Sequence, residues 1–148
     1  MVSIEVLRSL PYFAGVSPES LKAVAAITEE RAFPVGQPLF REGESAQALY
    51  ILREGEIDIV YQHHVDEGRV VDTVVAGDLI GWSSLVEPHR CTATAVPRVA
   101  GRAVRIDAAG IRKLCEHDHT LGYHLLKELA GTLSRRLQGA LVQLAAGA

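Results

Sequence analysis

"REGESAQALYILREGEIDIV", residues 41 to 60, is the stretch whose reading decides the fold. Two glycine–acid pairs, Gly43-Glu44 and Gly55-Glu56, bracket "SAQALYILR", and a third pair, Gly77-Asp78, lies further on. Glycine reaches positive φ without a side-chain clash, so each pair is expected at a tight corner between strands. "ALYIL", "EIDIVYQ", "VVDTVVA", "CTATAV" and "AGRAVRI" read as strands, separated by "PVGQP", "VDEGR" and "EPH". Turn signals spaced by about 8–12 residues predict a β-barrel or sandwich. A parallel β/α arrangement is disfavoured, because no helix-length segment lies between the strands.

Both ends of the chain read as helical. "SPESLKAVAAITEE" opens with Ser17 as N-cap and Pro18 at the first helical position, and Leu21, Val24, Ala25 and Ile27 fall near one face. After the strands, Asp107 and Asp118 are placed as caps of two further helices. The last carries Leu126, Leu129, Leu133, Leu137, Leu141 and Leu144 at spacings of three and four. A helix of roughly 24 residues is about 36 Å long, more than a compact barrel needs along one flank. Two copies pairing along the stripe, as coiled-coil helices do, account for the excess, so a homodimer through this helix is expected ahead of the alternative that the stripe simply packs on its own barrel. The organisation is one domain over 1–148, with N-terminal helices in 1–30, a β-roll in 31–107 and C-terminal helices in 108–148.

Bulk properties narrow the function. The formal net charge is −3 with acids and bases interspersed, so no basic stripe is prepared for nucleic acid. No apolar run approaches the ~20 residues that span a bilayer, and the N-terminus has no basic region followed by an apolar stretch. Cys91 and Cys115 have neither a CxxC spacing nor the density of a disulfide scaffold, so reduced thiols and a cytoplasmic setting are expected.

The order of the motifs carries more. "FPVGQPLFREGESAQALYILREGEIDIV", then "VVAGDLIGWSSL" and "HRCTATAV", resembles the cyclic nucleotide-binding domain of the catabolite-activator type. The resemblance runs from about Leu7 to Gln138 and includes "LSRRLQ" in the last helix. It implies a mainly β fold, an antiparallel jelly-roll or double-stranded β-helix with flanking helices, and a long C-terminal helix at a dimer seam. It also implies a phosphate-binding cassette, here within 77–95. Gly81 matches the cassette glycine, and Ser83 and Ser84 match the residues whose N–H groups face the phosphate. Arg90 matches the phosphate arginine, while Cys91, with Thr92 beside it, falls where a small hydroxyl-bearing residue follows. An anion at free peptide N–H groups is electrostatically favoured.

Two departures stand against that pattern. Trp82 occupies the place of a glutamate that accepts a hydrogen bond from the ribose, and an indole has a donor but no acceptor. Ala140 stands where relatives that recognise adenine often carry Thr or Ser. Phosphate features remain, while ribose and base features are missing. Three readings follow: a cyclic nucleotide (cAMP or cGMP) with Trp82 stacked on a ring, a different small anion in the same pocket, or a degenerate module serving interaction or dimerisation. The chain stops about where a helix-turn-helix would begin in DNA-binding relatives, so direct DNA binding is not expected.

Enzyme chemistry finds little support. His63-His64 with Glu67 superficially suggests a cupin metal site, but adjacent strand residues point to opposite faces. Cys115, His117, His119 and His124 lie close in sequence, yet metal ligation needs convergent geometry, and a polar helix junction is the expected reading. Neither a Ser-His-Asp order nor a GxxxxGK loop occurs. No catalytic residue, metal or cofactor is expected beyond the ligand itself.

Overall fold

The structure, a computed structural model, describes residues 1–61 and 69–147. His63, His64 and Glu67 lie outside the described residues. Helices α1 (Ile4–Arg8) and α2 (Pro18–Ala25) precede five strands: β1 (Thr28–Phe33), β2 (Ala48–Tyr61), β3 (Arg69–Val74), β4 (Leu79–Ile80) and β5 (Thr94–Asp107). Helices α3 (Ala108–His117) and α4 (His119–Gly147) follow, and short 3-10 helices lie at Pro11–Phe13 and Trp82–Ser84. The sheet runs β1-β5-β2-β3, with β4 paired to β2, and every pairing is antiparallel. This is the mainly β architecture with flanking helices that the sequence predicts.

The caps hold as read. The side chains of Ser17, Asp107 and Asp118 accept from the N–H groups of Ser20, Gly110 and Leu121 at 3.2, 2.8 and 3.1 Å. Three boundaries differ from the reading. Helix α2 ends at Ala25, and the roll begins at Thr28 rather than Arg31. There the Thr28 hydroxyl donates to Ala25 O and accepts from Val2 N–H, closing the helix and pinning the N-terminus. Gly55 is not a corner between strands. It sits at φ +93° inside the continuous strand β2, where the pairing with β5 shifts register around Glu54 and Glu56. "CTATAV" and "AGRAVRI" likewise merge into the one strand β5, apart from the first residues. A Cβ on Gly101 would stand 1.9 Å from Glu54 O, so the two bent strands approach as only glycine allows.

Alternation across β2 builds two cores. Ala48, Tyr50 and Leu52 face the inside of the roll with Phe33, Ile57, Ile80 and Ala103. Leu49 and Ile51 face the helices, against Leu7, Phe13, Leu21, Ile111, Leu121 and Leu125. Both faces are covered, which is why "ALYIL" is apolar throughout instead of alternating. Helix α4 spans 29 residues, roughly 43 Å. Its leucine stripe divides: Leu129 is 2% exposed in the chain's own core and Leu133 packs against it, while Leu126, Leu137, Leu141 and Leu144 are exposed. No helix among the described residues is long and apolar enough to cross a membrane.

Candidate ligand site

Strand β4 pairs Leu79 and Ile80 with Ile51 and Tyr50, and the chain leaves it at Gly81. Gly81 has φ +80°, and a Cβ there would lie 2.6 Å from Ala48 O, so only glycine fits. The 3-10 turn that follows closes on itself: Ser84 N–H donates to Gly81 O at 3.0 Å and Leu85 N–H to Trp82 O at 2.9 Å. Ser83 and Ser84 are buried, and Ser84 Oγ has no hydrogen-bond partner.

Side chains from outside hold the turn's carbonyls. His89 places Nδ1 2.9 Å from Ser83 O, and Arg112 on α3 donates to Ser84 O at 2.8 Å. Residues 89–91 then pair with the loop carrying Gly43. Ala46 N–H donates to His89 O, Cys91 N–H to Glu44 O and Gly43 N–H to Cys91 O, each at 2.8 Å. Arg90 is exposed, and its Nη1 donates to Gly43 O at 3.0 Å. Cys91 is buried, and desolvation, reinforced by the Glu44 charge, pushes its thiol up from the ordinary value. It is therefore an uncharged thiol near neutral pH. Thr92 is exposed.

Two cavities flank the half-buried Trp82. One, of about 20 Å³, is bounded by Phe40, Ile59, Ile80, Gly81, Ser83, Cys91, Thr92 and Ala93. That is room for about one water. The other, of about 500 Å³, lies between β3, the cassette and α4. Ile59, Val71, Asp72, Asp78, Thr132, Leu133, Arg135, Arg136, Leu137 and Ala140 line it, and its size falls in the range of small-molecule sites. Thus Gly81, Trp82, Ser83, Cys91 and Thr92 come together, while Ser84 and Arg90 line neither cavity.

Sequence reading missed Arg136. Its guanidinium lies 5.1 Å above the Trp82 ring, donates from Nη2 to Leu79 O at 2.8 Å and faces Asp72 from Nε at 3.5 Å. Its Nη1 is buried without an acceptor. Burial pushes Arg136 down from the usual guanidinium value, against the pull of Asp72 and Asp78. The available signal was the arginine pair in "LSRRLQ", whose helical phase sets Arg136 one turn beyond the buried Thr132. Ala140, marked from the sequence, does line the larger cavity. Among the described residues no three His, Cys, Asp or Glu side chains gather as a metal cluster, and His117 Nδ1 faces Lys113 O instead.

The family profile described as "Cyclic nucleotide-binding domain" matches residues 30–118. The chain belongs to the cyclic nucleotide-binding domain family. A solved structure of a putative cyclic nucleotide-binding protein from Geobacter metallireducens GS-15 is similar, at 34% identity and a TM-score of 0.82. The match covers 93% of this chain and 99% of that one. A CRP-like cAMP-activated global transcriptional regulator of Mycobacterium tuberculosis is 28% identical over 131 residues, covering 88% of this chain and 58% of the regulator. A cyclic AMP receptor protein of Thermus thermophilus is 29% identical over 90 residues, covering 61% of this chain and 42% of the receptor. The chain thus spans about half the length of these two regulators. In this member of the cyclic nucleotide-binding domain family an indole follows Gly81, and a guanidinium stacks over it.

Proposed function

We propose that this domain is a non-enzymatic cytoplasmic sensor whose cavity between Trp82, β3 and α4 takes a small anionic ligand, with a cyclic nucleotide the first candidate. The family fold supports this reading, and the observation that carries it is the cavity of about 500 Å³ beside the cassette, walled by Trp82 and Arg136. Gly81, Ser83, Cys91 and Thr92 lie on the other side of the indole, around the hollow of about 20 Å³. The exposed end of α4, with Leu137, Leu141 and Leu144, is the proposed seam with a second copy, placing cavity and seam on one helix. A ligand that favours one position of α4 over another then changes the seam, since only differential affinity for two states moves an equilibrium.

Isothermal titration of the wild type and Trp82→Glu with cAMP and cGMP tests the reading. The glutamate restores an acceptor, and gaining a charged hydrogen bond of about 1.5–3 kcal/mol tightens binding by roughly ten- to over a hundred-fold. No heat with either nucleotide for either protein overturns the cyclic nucleotide reading and leaves a different small anion or an interaction or dimerisation module.

A further inference from the structure

The 3-10 helix at Pro11–Phe13 joins two elements that lie far from it in sequence. Phe13 is fully buried in the helix-side core, which Leu121, Leu125 and Leu129 of α4 share. Tyr12 beside it is 4% exposed, and its hydroxyl donates to Gly77 O at 3.2 Å. Gly77 and Asp78 lie in the turn between β3 and β4, directly ahead of the cassette strand. Strand β2 holds that turn as well: Gly77 N–H donates to Leu52 O at 2.7 Å, and Leu52 N–H to Asp78 O at 2.9 Å.

The same phenol oxygen meets α4. Thr132, also 4% exposed, bonds to it through its hydroxyl and accepts from Arg135 Nη2 at 3.3 Å. Burial pushes the phenol up from its ordinary value and the Thr132 bond opposes that, as a bond donated to the phenol oxygen does. A guanidinium only donates and a carbonyl only accepts, so the protons along Arg135, Thr132, Tyr12 and Gly77 have one order. Neither hydroxyl can turn to a new partner without leaving a buried polar group unpaired, which costs more than an ordinary bond contributes. A phenylalanine at position 12 would keep the packing, so the hydroxyl alone joins the turn to the helix.

We propose that Tyr12 is a conformational latch: its hydroxyl ties the Gly77–Asp78 turn to α4 through the N-terminal 3-10 helix, so that turn and helix open together. The N-terminal segment then sets how readily α4 leaves the roll, and whatever lifts that segment frees the turn ahead of the cassette. The latch needs no ligand, so it stands or falls apart from the sensing reading.

The test is hydrogen exchange, read by mass spectrometry on the full chain without ligand, for the wild type, Thr132→Val, Tyr12→Phe and the double variant. Each substitution keeps the outline of the side chain and removes one hydroxyl. Thr132→Val alters α4 only, yet it is expected to raise exchange of residues 75–80 about 3- to 10-fold, the effect of losing one buried hydrogen bond. Tyr12→Phe is expected to raise exchange in 75–80 and in 128–136 alike, and the double variant to go no further than Tyr12→Phe. Residues 29–32 of the edge strand β1, where opening is local, are the control and are expected to keep wild-type exchange. Wild-type exchange of 75–80 in Thr132→Val overturns the latch. So does an equal rise in 29–32, which marks a general loss of stability, or an additive effect in the double variant, which marks two independent bonds.

Discussion

The guanidinium of Arg136 lies 5.1 Å above the indole of Trp82, so the last helix and the cassette turn meet in one stacked pair. Arg136 also grips Leu79 O, the strand residue two positions before the cassette glycine. The turn and α4 are thus in direct contact. Arg112 makes a second link, from α3 to Ser84 O.

Trp82→Ala removes this stack together with apolar packing against the helix-side core. The expected loss of stability is about 2–3 kcal/mol, for a cation–π pair plus a partly buried aromatic body. Urea denaturation followed by circular dichroism measures it.

Gly81→Ala and Gly36→Ala form a matched pair. Both glycines have positive φ, but a Cβ at Gly81 meets Ala48 O at 2.6 Å while at Gly36 nothing lies within 4 Å. Gly36→Ala is expected to cost about 1 kcal/mol from φ strain alone, and Gly81→Ala at least about 2–3 kcal/mol. Equal melting temperatures for the two variants would contradict the close approach.

Leu129 and Leu141 lie on one helix with opposite surroundings, 2% and 53% exposed. Leu129→Ala is expected to destabilise the fold by about 2–4 kcal/mol, as a buried leucine truncation does. Leu141→Glu is expected to leave the fold's melting intact and to convert the proposed dimer to monomer, read by light scattering after size exclusion.

Acid sensitivity has an identifiable contributor in Asp118. A hydrogen bond from the Ser20 hydroxyl, then the Leu121 N–H, holds this carboxyl below the usual range. A folded pKa below the unfolded one means the native state binds the proton less readily. The stabilisation is thus present above the ordinary carboxylate pKa of about 4 and is lost as pH falls through the depressed value. Asp118→Asn is expected to flatten the stability curve below about pH 4, seen in melts over a pH series.

Features decided within a few residues were legible from the order of amino acids alone. Ser17, Asp107 and Asp118 cap their helices as read, because a cap needs only its own side chain and N–H groups three residues on. Gly81 was marked through the family resemblance, and its backbone takes the positive φ of a turn glycine. Helix α2 was read too long because "AITEE" is compatible with helix, and pairing of Thr28–Phe33 with β5 outweighed that local preference.

The sequence by itself determined the strands of the roll and the helix caps, set by local backbone preference and by apolar runs that must be covered, and it marked the cassette turn through the family resemblance. Only the tertiary structure decided that Gly55 bends a continuous strand, that Arg90 turns to Gly43 O, and that Asp72, Trp82 and Arg136 share one cavity. Those outcomes depend on which distant segments the rolled sheet presses together. Desolvation of a charge and close approach of backbones exist only after that packing is complete.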